Sequence, residues 1–178
     1  MPIDHALLRA SWQSWVSNDM RPRAGPYWLQ WLWTLLFAAG LAVVFTAISF
    51  LAFGSGQGAG RHGFGWGYWY GKNFIVCMTI AATIHLLFDL GRLSFAKPAR
   101  LAGWRPWVRT LYFSGMPLLG VVLAWPLGVW LAGQNVLLWF GSSDGLNVIV
   151  GTLLLSLLIS VLLHHWFASK AAEVDAER

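Results

Sequence analysis

The stretch that decides the fold reads NFIVCMTIAATIHLLFDLGRLSFAKPARLAGWRPWVR, residues 73–109. Its first part, Asn73 to Leu93, is mostly apolar and, at about 1.5 Å per residue, is long enough to cross the ~30 Å core of a bilayer as one helix. Five basic residues lie at and beyond its end: Arg92, Lys97, Arg100, Arg105 and Arg109. Because Lys and Arg resist translocation, we predict that this loop faces the cytoplasm and sets the orientation of every other span.

The composition is typical of a membrane protein. Of 178 residues, 57% are apolar and 11% charged, and the mean hydropathy is +0.58, so much of the apolar surface is expected to face lipid. The net charge is +5, but the basic residues flank apolar spans and no nucleic-acid-reading module is visible. Anionic lipid head groups are therefore the predicted partner. The single cysteine, Cys77, excludes an intramolecular disulfide and a paired-cysteine metal site.

The hydropathy pattern predicts an all-α polytopic membrane protein with a transmembrane domain at residues 27–168. Its four predicted transmembrane helices are residues 27–53, 73–93, 108–132 and 147–168. The N-terminal segment, residues 1–26, contains an amphipathic stretch that predicts an in-plane helix at the membrane interface, with Asp4 as its N-cap. The tail, residues 169–178, is alanine-rich and charged, and it can continue the fourth span as one unbroken signalling-helix stub.

The distribution of positive charge predicts the topology. Three basic residues precede the first span, five lie in the central loop and two in the tail, whereas the two remaining loops share only Arg61 and Lys72. Four spans with both termini in the cytoplasm satisfy this asymmetry. No cleavable signal peptide is expected, because the first apolar run is too long for one.

The glycine-rich loop, residues 54–72, contains a G-x-G-x-x-G match at Gly58, Gly60 and Gly63. A dinucleotide site needs this motif between a strand and a helix of a βαβ unit, and here it follows a membrane span. We therefore interpret the segment as an external loop whose aromatic residues lie on the bilayer or form a shallow ligand surface. No catalytic constellation and no cofactor or metal set is predicted elsewhere.

Four residues form a candidate intramembrane polar cluster. His85 and Asp89 are spaced i, i+4 on one helix face, and His164 and His165 should lie at a depth similar to Asp89. Since ionisable residues at membrane depth normally find partners, we expect Asp89 to pair with His164, His165 or His85. Protonation of the cluster could change helix packing, or the cluster could be a static polar clamp. A haem or metal between His85 and His164 or His165 is a third interpretation.

Several stretches resemble one protein family. They are residues 21–26 leading into a tryptophan-rich first span, the strings Asn73-Phe-Ile-Val and His85-Leu-Leu-Phe-Asp89-Leu-Gly-Arg92, the basic central loop, and the charged helix leaving the fourth span. Together they resemble the membrane-embedded N-terminal region of LytS/AlgZ-type bacterial sensor histidine kinases. In that family the last span continues into a dimeric phospho-acceptor domain, which an ATP-binding domain follows.

The resemblance implies a function. The sequence ends at Arg178, before any acceptor-histidine motif or ATP-binding box, and none of its five histidines has an acceptor context. The chain would therefore be the sensor and anchoring module of an ATP-dependent histidine kinase without its catalytic half, either cut away or lost. The expected setting is the bacterial inner membrane, and the expected partners are a second copy and a cytoplasmic kinase region or response regulator. Two alternatives remain: a small redox, haem-binding or carrier component that uses His85 and His164 or His165, and a structural inner-membrane subunit.

Overall fold

The computed structural model describes residues 4–17, 23–53, 65–97, 100–101, 103–141 and 143–176. Within these ranges the chain is helical and contains no β-strand, so the predicted all-α class is confirmed for this part. The helices are α1 (His5–Ser17), α2 (Tyr27–Phe53), α3 (Trp66–Ser94), α4 (Pro106–Leu131), α5 (Val136–Phe140) and α6 (Ser143–Ala176).

Three of these helices are long and apolar enough to cross a membrane: Tyr27–Ile48 within α2, Trp66–Ser94 and Pro106–Leu131. In lipid, a helix satisfies its backbone polar groups internally, which is why uninterrupted apolar segments fold this way. The predicted fourth span lies in α6, where Gly145–Leu158 is apolar and several side chains beyond it lie outside the described ones. Among the described residues, three helices are thus candidate spans, and the four-span topology stays a prediction.

Helices α2 and α3 pack against each other in antiparallel orientation. At one end the Tyr27 hydroxyl donates to Asp89 over 2.8 Å. At the other end Asn73 Nδ2 donates to Thr46 Oγ1 over 2.9 Å. Between them Ala38, Ala42 and Cys77 form an apolar core. These two polar contacts lie 19 residues apart on α2 and 16 apart on α3, roughly 24–28 Å of helix, and they enclose an apolar middle.

Helix α4 approaches α3 through glycines. A Cβ on Gly91 would overlap the Tyr112 hydroxyl, and one on Gly120 would overlap Ile84 Cγ1. A Cβ on Gly128 would lie 3.0 Å from Val76 Cα. Small residues let helix backbones come close where lipid provides no hydrophobic driving force between helices. The helix continues through both Pro117 and Pro126.

The C-terminus of α4 is capped by backbone and side chain. Gly133 adopts a positive φ of 71°, Gln134 N–H donates to the Val129 carbonyl over 3.0 Å, and Gly133 N–H donates to the Trp130 carbonyl over 2.9 Å. This is the Schellman pattern, which satisfies the last carbonyls of a helix. Lys72 of α3 adds a hydrogen bond to the Ala132 carbonyl, placing a positive charge at the negative end of the helix dipole.

The helix that contains the predicted second span begins about two turns before Asn73. The sequence predicts a loop up to Lys72, but α3 begins at Trp66. The Trp66 ring contacts Phe50 of α2 at 5.1 Å, and Lys72 caps α4, so tertiary contacts outweigh the low helix propensity of the interleaved glycines. Residues 54–64, which carry the G-x-G-x-x-G match, Arg61 and His62, lie outside the described residues.

The N-terminal helix forms as predicted, and its cap is confirmed. Leu7 N–H donates to Asp4 Oδ1 over 2.7 Å, at the residue preceding α1. The helix packs against α2 through a buried polar contact at Ser11, which is fully buried. Its predicted in-plane position at the membrane surface stays a prediction, whereas its docking on α2 was not anticipated.

Candidate functional site

The Asp89 carboxylate accepts hydrogen bonds from two residues just before and at the start of α2, Arg23 and Tyr27. Arg23 forms a two-point pair with the carboxylate: Nη1 lies 3.0 Å from Oδ2, and Nη2 bonds Oδ1. The Tyr27 hydroxyl donates to Oδ2 as well. The side chains of Arg23 and Asp89 are only 19% and 17% exposed. Charge-assisted, two-point pairing of this kind neutralises a carboxylate that would otherwise be costly at membrane depth.

His85 lies one turn before Asp89 and is buried. Its ring centroid is 4.6 Å from that of Trp31, and its Nδ1 is 3.0 Å from Thr34 Oγ1. Its Nε2 faces Asp89 Oδ2 at 3.6 Å, just beyond hydrogen-bond distance. Arg23, Tyr27, Thr34, His85 and Asp89 are called the Asp89 cluster below.

Thr34 connects this cluster to α1. Its hydroxyl donates to the Gln30 carbonyl over 3.1 Å and accepts the indole N–H of Trp15 over 2.9 Å. Thr34 is 1% exposed. One hydroxyl on α2 therefore joins side chains from α1 and α3.

Gln30 binds both α1 and Ala24, which lies shortly before α2. Its Nε2 lies 3.0 Å from Ser11 Oγ, 3.2 Å from Ser14 Oγ and 3.1 Å from the Ala24 carbonyl. Ser14 Oγ also accepts the Ala24 N–H over 3.2 Å. Because Ala24 follows Arg23 directly, this network positions the guanidinium that binds Asp89.

The structure brings two of the four predicted site residues together. His85 and Asp89 face each other, as their spacing suggested. His165 is exposed on α6, which packs on α4 and α5, and the side chain of His164 lies outside the description. The hydrogen bonds described for Asp89 go to Arg23 and Tyr27 rather than to α6.

Sequence reasoning missed Arg23, Tyr27 and Thr34. A signal for Arg23 existed, since a carboxylate at membrane depth calls for a cation and the start of one span adjoins the end of an antiparallel neighbour. The hub role of Thr34 had no such signal, because threonine in an apolar helix commonly bonds its own i−4 carbonyl.

The Asp89 cluster can exchange hydrogen bonds and charge among its members. Asp89 Oδ2 already accepts from Arg23 and Tyr27, and a protonated His85 would add a third donor. The haem or metal interpretation stays a prediction: Nδ1 of His85 contacts Thr34 and Nε2 faces Asp89 at 3.6 Å, and the side chain of His164 lies outside the described ones. Among the described residues, no three His, Cys, Asp or Glu side chains are grouped closely enough to hold a metal ion.

Comparisons of the chain with protein families, with curated proteins and with solved structures give no match.

Proposed function

We propose that this chain is a sensor module of the bacterial inner membrane. It crosses the bilayer four times with both termini in the cytoplasm, and it passes a change in helix packing through α6 to a cytoplasmic kinase region of the histidine-kinase type. Homodimerisation accompanies this role, because such kinases act in pairs.

The observation that carries the proposal is the continuity of α6. This helix runs 34 residues, Ser143–Ala176, without a break, which corresponds to about 51 Å and exceeds the ~30 Å hydrocarbon core. Its first part is apolar and its last part is charged. A rigid helix that joins a lipid-facing segment to a water-facing one can transmit a shift or a rotation to whatever follows it.

The position of the Asp89 cluster supports the same proposal. Consecutive helices joined by short connections pack antiparallel, so the start of α2, the end of α3 and the end of α6 lie at one end of the bundle. The cluster occupies that end through Tyr27 and Asp89. A change in its hydrogen bonds would therefore occur on the side where α6 leaves the bundle.

A fusion experiment tests the function. A kinase or reporter domain that works only when dimerised is joined after Arg178, and its output is measured in cells while external conditions are varied. We expect stimulus-dependent output that disappears with Ala172→Pro, since proline breaks the exit helix outside the apolar segment.

The control is Leu162→Ala, an exposed position on the same helix, which should leave the output intact. Output that ignores every condition, or that is unaffected by Ala172→Pro, would rule out transmission through α6.

A further inference from the structure

The hydrogen bonds around Thr34 constrain which ring nitrogen of His85 carries a hydrogen. The Thr34 hydroxyl has one hydrogen and two lone pairs. The hydrogen is directed to the Gln30 carbonyl and one lone pair receives the Trp15 indole N–H. Nδ1 of His85, 3.0 Å away, can then only donate to the second lone pair. A neutral ring with Nδ1–H leaves Nε2 as a bare acceptor.

That bare acceptor faces another acceptor. Nε2 is buried without a hydrogen-bond partner, on a side chain only 6% exposed, and the carboxylate oxygen Oδ2 of Asp89 lies 3.6 Å from it. Moving the hydrogen from Nδ1 to Nε2 would instead turn the Thr34 hydroxyl from the Gln30 carbonyl to Nδ1. Only a ring with hydrogen on both nitrogens keeps the Thr34–Gln30 bond and also presents a donor to Asp89.

We propose that His85 Nε2 is a proton-binding site and that the proton is the signal which the sensor module receives. The proton-binding site is independent of the proposed function. Only the statement that the proton is the stimulus rests on that function. One proton taken from water makes an imidazolium, which donates from Nδ1 to Thr34 and from Nε2 to Asp89. The Trp31 ring, tilted by 34° with its centroid 4.6 Å from that of His85, adds a favourable cation–π contact.

Several charged and phenolic groups surround His85 and Asp89, and some of them compete to donate hydrogen bonds to the Asp89 carboxylate. Arg23 comes from the segment before α2, Asp89 and Arg92 come from α3, and the nearby phenols are Tyr27 of α2 and Tyr112 of α4. Once His85 donates to Oδ2, that oxygen has three donors for two lone pairs. The bond from Arg23 Nη1 to Oδ2 is weakened, and because Arg23 adjoins Ala24, which bonds Ser14 and Gln30, α1 is released from its docked position.

Nitrogen NMR of the full chain in lipid nanodiscs tests the proton site. With ¹⁵N-histidine labelling, and with His85→Gln to identify the signal, we expect the Nδ1–H tautomer at about pH 8 and conversion to the imidazolium as the pH is lowered. Thr34→Val should give the Nε2–H tautomer at the higher pH, and the matched Thr34→Ser should keep Nδ1–H. An Nε2–H ring in the unaltered chain, or a ring that stays neutral throughout, would overturn the proposal.

A distance measurement tests the release of α1. Spin labels are placed on Ala6→Cys and Leu93→Cys, both exposed, in a Cys77→Ala background. We expect a second, longer distance on acidification, and no such change when Asp89→Asn is added. A pH-independent distance in the unaltered cluster would contradict the release step.

These outcomes are distinguishable from those of the fusion experiment. A ring that titrates in a chain whose fused reporter stays silent supports the proton site and rejects signalling. A responsive reporter with a permanently neutral ring rejects the proton site and leaves signalling supported.

Discussion

The Asp89 carboxylate is stabilised by hydrogen-bond donors that are distant in sequence. Arg23 and Tyr27 lie more than sixty residues away along the chain, yet they supply most of the hydrogen bonds of the carboxylate. In a largely buried site, removing one member of an ion pair leaves the other charge without compensation, which costs more than the pair itself contributes.

Asp89→Leu should therefore destabilise the chain by about 3 kcal/mol, because Arg23 would remain buried and unpaired. The double variant Arg23→Leu/Asp89→Leu should lose less free energy of unfolding than Asp89→Leu alone. Unfolding of detergent-solubilised protein by SDS titration measures both. The exposed residue Arg105 offers a control, Arg105→Leu, with little expected effect. Additive losses in the double variant would show that the pair is not coupled.

Two different kinds of contact join the helices. Helix α1 is attached to α2 by hydrogen bonds to fully buried Gln30 and Ser11. Helices α3 and α4 meet instead through glycines that leave no room for a side chain. The first contact can open when a hydrogen bond is lost, whereas the second is a tightly packed interface that resists change.

The first contact predicts that Gln30→Leu loosens α1. The substitution removes the Gln30 Nε2 amide, whose two hydrogens are shared among Ser11 Oγ, Ser14 Oγ and the Ala24 carbonyl. Hydrogen exchange of the amides of α1 should accelerate on the order of tenfold, equivalent to a loss of about 1.4 kcal/mol of local stability. Leu36→Ala, at an exposed position of α2, the helix that carries Gln30, should change the exchange of the α1 amides little. Unchanged exchange in Gln30→Leu would show that other contacts hold α1.

The second contact predicts opposite results for two glycines of α4. Gly115 has nothing within 4 Å of an added Cβ, so Gly115→Ala should stabilise the helix by up to about 1 kcal/mol. Gly128→Ala should destabilise by about 1–3 kcal/mol, because its Cβ would meet the backbone of Val76. Thermal unfolding in detergent measures the difference. Equal responses would mean that α3 and α4 are not closely packed at Gly128.

At the scale of the whole molecule, the helices follow one another in an open row. Helix α3 packs between α2 and α4, and α4 packs against α6. Many large apolar side chains stay exposed along these helices, among them Leu90, Leu123 and Leu154. Such an apolar exterior is unusual for a protein surrounded by water and is expected for one surrounded by lipid.

Cysteine labelling from outside the cell tests the proposed topology. In a Cys77→Ala background, a membrane-impermeant maleimide should label Gly65→Cys and Asn135→Cys but not Ala6→Cys or Ala176→Cys, because basic residues flank the protected ends. Labelling of Ala176→Cys with Ala6→Cys still protected would show that α6 does not cross the membrane. Labelling of Ala6→Cys would invert the orientation.

The sequence determined most of the secondary structure and the class of the protein. Apolar runs, the Asp4 cap and the charged continuation of α6 depend on residues close together in the chain, and hydropathy detects such local patterns directly. The spacing of His85 and Asp89 likewise placed both on one helix face, since helical periodicity is fixed by the backbone.

Only the tertiary structure decided which groups meet. It paired Asp89 with Arg23 and Tyr27, docked α1 on α2 through Gln30, and made Thr34 the link between α1 and α3. It also extended α3 back to Trp66 by contacts with α2 and α4. Partners of this kind depend on which helices are neighbours and in what register they pack. Local sequence patterns determine neither of these.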